Sequence, residues 1–435
     1  MQSAFDPLFF VMKTIQVMPA AEAKQYCVGR TDLQLGDENS SIQAISIGGG
    51  SPRLMKRRGM LIISRLPRTT HSEDKWLSAV RKAIDDLVKN DCVIVTSVGS
   101  VGWDYITWYA AKRRASLWII FPPEGTDKLK QISDKVVQNL NINEKTATFF
   151  MPILSKAVSK SEKLSIRDQF VFSFAHKHNL ICIRKKSTWT KYFNQLSQVN
   201  RDYQVDYPDK HSEIWKPLLK SRKLASDSTV ESKNYLIHWT RGANGPWSGE
   251  SEADYLEALT DNISGNPRNG YHTLKKIVLS KLLRGSGKMI KGGEPVICFT
   301  DTNFTEIFKL IRYRATLGRW NFEPYGIGFP RDLLKSIGAR CVSYGSREKY
   351  DELSAEEKPY FQYDNAGTKN GRISSNWLIE GEWRLIGDLD FESIIRKVIL
   401  IVPTRKEANI LYREIGINSG LRQKNIHCFM EDLSA

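Results

Sequence analysis

Val93-Ile94-Val95-Thr96-Ser97-Val98-Gly99-Ser100-Val101-Gly102-Trp103-Asp104 sets the class of the first half of the chain. An apolar, β-branched run, a turn of small residues and the helical pattern of residues 105–111 read as strand, turn and helix. Leu117-Trp118-Ile119-Ile120-Phe121 is the next strand and stops at Pro122-Pro123. Upstream, Leu61-Ile62-Ile63-Ser64 reads as a buried strand. Residues 72–88 read as an amphipathic helix with Trp76, Val80, Ala83, Ile84 and Leu87 on one face. Strand, glycine turn, helix and strand in this order predict a right-handed βαβ unit in a parallel sheet, which Ile181-Cys182-Ile183 would close.

A small-residue loop between a parallel strand and a helix gathers backbone N–H groups at a helix N-terminus, where a phosphate can sit. Ser97, Gly99, Ser100 and Gly102 therefore form a candidate anion cradle. The same glycines would also serve a turn that needs them only for its backbone angles. The loop is not G-x-G-x-x-G, and Gly285-Ser286-Gly287-Lys288 lacks the leading glycine and the Ser/Thr of a P-loop.

The chain has 435 residues, which makes two domains the default. Its hydrophobic fraction of 41% and its 11 Trp indicate packed cores rather than disorder. The apolar run at residues 7–12 follows no basic residues, and no run has the length of a bilayer span, so a cytoplasmic protein without a membrane partner is expected. Six cysteines, Cys27, Cys92, Cys182, Cys298, Cys341 and Cys428, are scattered without a C-x-x-C pair and read as reduced. His176-Lys177-His178 lacks acids or cysteines at ligand spacing, so no metal is expected.

Lys and Arg number 64 against 48 Asp and Glu, a formal charge of +16. Such a surplus favours nucleotides, nucleic acid or an acidic protein as partners. The basic residues are dispersed over Lys56-Arg57-Arg58, Lys112-Arg113-Arg114, Arg184-Lys185-Lys186 and Arg312/Arg314/Arg319. Dispersion of this kind equally describes solvated surface.

Residues 200–233 turn polar and charged, with Pro208 and Pro217, as an inter-domain linker does. The expected division is a domain over residues 1–199, a linker over 200–233 and a second domain over 234–435. Short strands at residues 235–240, 295–300, 325–329, 341–344, 377–386 and 398–402 alternate irregularly with helices at 252–259, 274–282, 305–317, 330–336 and 406–415. That pattern predicts an α+β domain with a split, mainly antiparallel sheet. Within Trp377-Leu378-Ile379-Glu380-Gly381-Glu382-Trp383-Arg384-Leu385-Ile386, alternation puts Glu380, Glu382 and Arg384 on one face. Such a face lines a cleft or faces water. His238 and Thr240 share a face of their strand, and Ile297-Cys298-Phe299-Thr300-Asp301 ends in a hydroxyl and an acid.

Two resemblances follow from these motifs. Ile62-Ile63-Ser64-Arg65, Gly99 to Asp104 and Ser165-Ile166-Arg167-Asp168, within residues 60–191, resemble the Rossmann-like nucleotide-sensing superfamily of DNA-processing protein A and the lonely-guy proteins. The chain lacks the P-G-G-x-G-T-x-x-E motif of the latter. The resemblance implies an α/β Rossmann-like fold, with a nucleotide held by Ser64, Arg65, Gly99, Ser100, Gly102, Asp104, Arg167 and Asp168. An Arg-Asp pair opening a helix would set the guanidinium on a phosphate.

The second half resembles ADP-ribosyltransferase-like families of bacterial abortive-infection and phage-defence systems. Phe299-Thr300-Asp301-Thr302, Tyr325-Gly326-Ile327-Gly328-Phe329 and Trp377 to Arg384 carry that likeness over residues 233–402. It implies NAD as substrate, with His238 and Thr240 at the nicotinamide ribose, Thr300 beside them, and Arg241 and Arg314 at the pyrophosphate. Glu382 would be catalytic and Glu380 would assist it. The expectation is a toxin-like defence effector in which a nucleotide-binding domain regulates an NAD-using one, with homo-oligomerisation open. The rivals are a non-enzymatic nucleotide- or nucleic-acid-binding module and a nucleotide N-glycosidase in the first domain.

Overall fold

A computed structural model describes residues 14–18, 41–46, 57–66, 74–125, 128–154, 157–190, 198–208, 234–243, 245–247, 249–260, 268–287, 290, 292–301, 311–314, 319–363, 381–416 and 419–428. The chain divides into two compact units, one of residues 1–209 with 245–266 and one of residues 210–244 with 267–435.

The first unit contains β1 (Thr14–Met18), β2 (Ser41–Ser46), β3 (Arg58–Ile63), α1 (Lys75–Lys89), β4 (Val93–Thr96), α2 (Val101–Lys112), β5 (Leu117–Ile120), α3 (Lys128–Leu140), β6 (Ala147–Ile153), α4 (Lys160–Phe174), β7 (Lys177–Cys182) and α5 (Glu252–Thr260). The sheet runs β1-β2-β6-β5-β4-β3-β7. From β6 to β7 every neighbour is parallel, and β1 and β2 add an antiparallel edge. The alternating α/β reading thus has its counterpart in a parallel sheet with helices between the strands.

Apolar spacing decides the helices. In α1, Trp76, Val80, Ala83, Ile84 and Leu87 are buried, each large side chain contributing about 1.5–3 kcal/mol. Buried on both faces, β3, β4 and β5 read as unbroken Met60-Leu61-Ile62-Ile63, Val93-Ile94-Val95 and Leu117-Trp118-Ile119-Ile120. Tyr255, Leu256 and Leu259 of α5 complete this core, although the sequence places them beyond β7.

Two local readings are corrected. The Arg167-Asp168 pair lies inside α4 rather than at its opening, because Ser159 and Glu162 form a capping box that starts the helix two turns earlier. Arg58 is not surface charge. It is 3% exposed, donates from Nε to Phe174 O at 2.6 Å and lies 4.9 Å from the centre of the Trp118 ring. In the cluster at residues 112–114, Lys112 pairs with Glu257, and Arg113 meets Asp85 at 2.8 Å.

The second unit contains β8 (Tyr235–Trp239), α6 (Gly270–Ser280), β9 (Val296–Thr300), β10 (Gly326–Pro330), α7 (Arg331–Ser336), β11 (Arg340–Cys341), β12 (Glu382–Ile386), β13 (Ile399–Val402), α8 (Arg405–Ile415) and β14 (Ile426–Cys428). They form one mixed sheet, β11-β12-β9-β8-β10-β13-β14, antiparallel except between β13 and β14. It is not divided in two. β8 and β9 nevertheless pair at the single register position Ile237↔Thr300, so the ladder thins there. Residues 313–314 are extended and pair with 319–320, not helical as their sequence suggested, and 302–310 lie outside the described residues.

Alternation gives this sheet two distinct faces. Leu236, Ile297, Phe299, Ile327, Phe329, Leu385 and Leu400 pack with Leu274 and Val278 of α6 and with Leu411 and Ile415 of α8. The other face carries Ile237, Trp239, Cys298, Thr300, Glu382 and Arg384. Gly326 and Gly328 leave room on that face. A Cβ at Gly326 would lie 3.0 Å from Ile237 and Trp239 atoms, and one at Gly328 would lie 2.7 Å from Ile399.

Candidate functional site

The polar face of the second sheet is built around one cross-strand row. Thr300 of β9 stands opposite Ile237 of β8 on one side and Glu382 of β12 on the other. Trp239, two residues from Ile237, donates from Nε1 to Thr300 Oγ1 at 3.1 Å. Phe322 stacks on Trp239 with centroids 5.9 Å apart. Glu382 and Thr300 are thus brought together by strands more than 80 residues apart in sequence.

Glu382 is 9% exposed and accepts from Arg384 Nε at 2.9 Å. Arg384 is 2% exposed, and its remaining N–H groups donate to Pro359 O at 2.7 Å, Phe361 O at 3.0 Å and Gln362 Oε1 at 2.9 Å. The guanidinium therefore orients the carboxylate and ties it to residues 359–362. Cys298 stands opposite Arg384. Its residue surface is accessible, yet burial of the thiol among its neighbours, and then the Glu382 carboxylate, raise its pKa to about 12.

His238 and Thr240 lie on the other face, and here the structure corrects the expected grouping. His238 neighbours Ile237, whose face Glu382 shares, so strand parity turns its imidazole away from the carboxylate. Its Nδ1 lies 2.8 Å from Cys298 O, where the thinned β8–β9 ladder leaves that carbonyl to a side chain. Burial holds the ring near pKa 4, so it is neutral at neutral pH. Thr240, 2% exposed, has Oγ1 2.7 Å from Gly270 O and 3.1 Å from Tyr325 O. The structure gives it a local role in joining β8 to α6 and β10.

Arg241 lies two residues past the end of β8. It is exposed, and its Nη1 lies 3.4 Å from Asn321 O. Arg314 belongs to the short pair of strands 313–314 and 319–320 that ends at Asn321. Glu380 lies outside the described residues. Gly381, at φ +50°, leads into β12, and a Cβ there would stand 1.8 Å from Asp301 Oδ1. Asp301 Oδ2 also receives Arg331 Nη1 at 3.3 Å and Trp383 Nε1 at 3.4 Å. Only glycine fits between the two glutamates, because the Asp301 carboxylate occupies the space.

Sequence reasoning passed over Glu323. It is 6% exposed and accepts from the backbone N–H of Gly242 and from Gly270 N–H, the former at 2.5 Å and the latter at 3.0 Å. No motif marks it. Gly242 and Gly270, either side of it in space, both lack room for a Cβ.

In the first unit the residues of the expected cradle are together but largely satisfied by their own chain. Gly99, at φ +95°, donates its N–H to Asp104 Oδ1 at 2.7 Å, so a carboxylate sits where a phosphate was expected. Burial pushes Asp104 up to about 7, opposed by that N–H; Glu252 raises it further and Arg167 lowers it. Ser100 is the N-cap of α2 without a side-chain cap bond, and Gly102 is already helical, its missing Cβ lying 3.3 Å from Ile63.

Arg167, 7% exposed, reaches Asp168 Oδ1 at 2.8 Å through both Nε and Nη2. Its Nη1 donates to Val98 O at 3.3 Å, and its guanidinium carbon lies 5.7 Å from the Trp103 ring centre. Burial raises Asp168 despite this partner. Ser64 Oγ lies 2.7 Å from Ser187 Oγ and accepts from Arg184 N at 3.2 Å. Arg65 is exposed, and its carbonyl accepts from Tyr207 at 2.6 Å.

Among the described residues no group of three or more His, Cys, Asp or Glu is placed to hold a metal ion, and no helix is long and apolar enough to cross a membrane. No protein-family model matches the chain, and no curated protein is significantly similar to it.

Proposed function

We propose that the second unit acts on NAD, cleaving the nicotinamide–ribose bond by hydrolysis or by ADP-ribosyl transfer. The observation that carries this reading is the adjacency of β12, β9 and β8, with Thr300 directly opposite Glu382. The ADP-ribosyltransferase resemblance implies a strand ending in an aromatic–hydroxyl pair and a late strand carrying the catalytic glutamate, and here Phe299-Thr300 of β9 stands beside Glu382 of β12. Breaking the glycosidic bond builds positive charge on the ribose, which a fixed carboxylate stabilises. Arg384 holds the Glu382 carboxylate in one orientation on this face.

The partner on that face is Trp239 rather than His238 and Thr240. The first unit is read as a Rossmann-like regulatory domain, and the whole as a cytoplasmic, toxin-like defence protein. A nucleotide entering the first unit's loop would compete with Asp104 for the Gly99 N–H.

Replacing Glu382 with Gln removes the charge and keeps an oxygen for Arg384 Nε. NAD turnover by the full chain should fall about a hundredfold or more, read beside a thermal melt that reports folding. Wild-type turnover in Glu382→Gln contradicts the assignment. A second reading, a binding module without chemistry, draws on the burial of Arg384, whose ion pair with Glu382 would then be structural. NAD bound but never consumed establishes that reading.

A further inference from the structure

We infer that Asp301, held by Arg331 and Trp383, is a positioning residue for Glu382: it fixes Gly381, at the root of β12, and so sets where the carboxylate stands against the reacting sugar. The inference rests on the NAD reading of the Glu382 face.

β12 begins at Glu382, and the residue before it, Gly381, lies in the left-handed region at φ +50°. The extended path therefore breaks one residue ahead of the carboxylate. Glycine is the least restrained residue a chain can place at such a break. The register between β9 and β12 ends at Thr300↔Glu382, so the strand ladder does not reach Gly381. Arg384 orients the Glu382 side chain, but its bond acts at the carboxylate and not on the backbone before it. A reacting group misplaced by about 1 Å can lose on the order of a hundredfold in rate, so the root of the strand needs a restraint of its own.

Asp301 supplies that restraint twice. Its N–H donates to Gly381 O at 3.2 Å, one residue past the last ladder pair. Its Oδ1 fills the place where a Gly381 Cβ would stand. Trp383, which donates to Asp301 Oδ2, alternates with Glu382 and packs with the apolar core. Asp301 thus props Gly381 from the core side of β12 and leaves the face proposed for NAD open.

The prop is itself held. Arg331 Nη1 and Trp383 Nε1 both donate to Oδ2, at 3.3 Å and 3.4 Å, which turns Oδ1 toward Gly381. Arg331 opens α7, and its guanidinium carbon lies 5.8 Å from the centre of the Trp383 ring; Lys335, one turn further on, sets Nζ 5.6 Å from the same ring. Two cations against one indole fasten Trp383 to α7. Arg331 Nε is buried without a hydrogen-bond partner, so the guanidinium is placed for Asp301 and the indole while its own pairing stays incomplete. Charge on Asp301 is balanced at the same point by Arg331, which limits its repulsion of Glu382.

Steady-state kinetics of the full chain with NAD, beside thermal melts, test the assignment. Asp301→Ala should lower kcat about tenfold or more and leave KM for NAD within about twofold, because the prop acts on the reacting carboxylate and not on the binding face. Asp301→Asn, which keeps an oxygen for Arg331 and Trp383 and keeps the bulk beside Gly381, should recover part of that loss. If Asp301→Ala does not fold, Arg331→Gln, which loosens the carboxylate, should show the same split between kcat and KM. Gly381→Ala should lower Tm, and adding Asp301→Ala to it should raise Tm again, since the second change vacates the space the new Cβ needs. The inference is overturned if the loss falls on KM at constant kcat, if Asp301→Ala turns over NAD as the wild type does, or if the double variant melts no higher than Gly381→Ala. A wild type that consumes no NAD removes the NAD reading alone; the melts then decide whether Asp301 props Gly381.

Discussion

Asp104 couples the first unit's loop to pH. Its folded pKa of about 7 lies above the ordinary 3.8, because burial disfavours the charge. Between those values the folded chain keeps a proton that the unfolded chain has released. The group's contribution to stability is therefore fully present below the ordinary value and is lost as pH rises through 7. Asp104→Asn, neutral throughout and still able to accept from Gly99, should gain in Tm relative to wild type between pH 4.5 and pH 8. A difference that stays constant over that range contradicts the assignment. At this scale the sequence shows residue types but not which sheet face each one occupies. Thr300 and Glu382 meet as strand partners, but the resemblance groups His238 with them, and parity relative to a distant strand cannot be counted before the register is known. Glu323 left no trace because its partners are backbone N–H groups, which every residue but proline has.

Elements with strong periodicity were legible. Helix α1 and the strands β3, β4 and β5 stand within three residues of where their apolar patterns put them. The strand β6 escaped because Pro152 interrupts its run; the pairing with β5 has ended by Phe150, so on that side no ladder bond is lost. Glycines in β10 were read as a motif, and the structure supplies their physical reason. Gly328→Val would place a side chain against Ile399, where a Cβ already lies at 2.7 Å, and should destabilise the protein by about 1–3 kcal/mol in a urea titration. An unchanged midpoint would mean that the Ile237 and Ile399 side chains do not fill the space over that strand.

For the whole chain, the notable feature is the membership of residues 245–266 in the first unit while the residues on both sides belong to the second. No composition shift marks it, because α5 is an ordinary short amphipathic helix whose apolar face could pack in either unit. Leu256 is 0% exposed within the first unit's core, so Leu256→Ala should lower stability by about 2–5 kcal/mol and expose apolar surface to a reporter dye. A neutral Leu256→Ala would remove α5 from that core. NAD is proposed to lie on the Thr300–Glu382 face of the second sheet. Hydrogen–deuterium exchange of the full-length Glu382→Gln protein with saturating NAD tests it most directly. Exchange should slow at residues 240–243, 300–301, 312–314 and 382–384, with α6 unchanged. Protection confined to residues 97–104, or none anywhere, would contradict it.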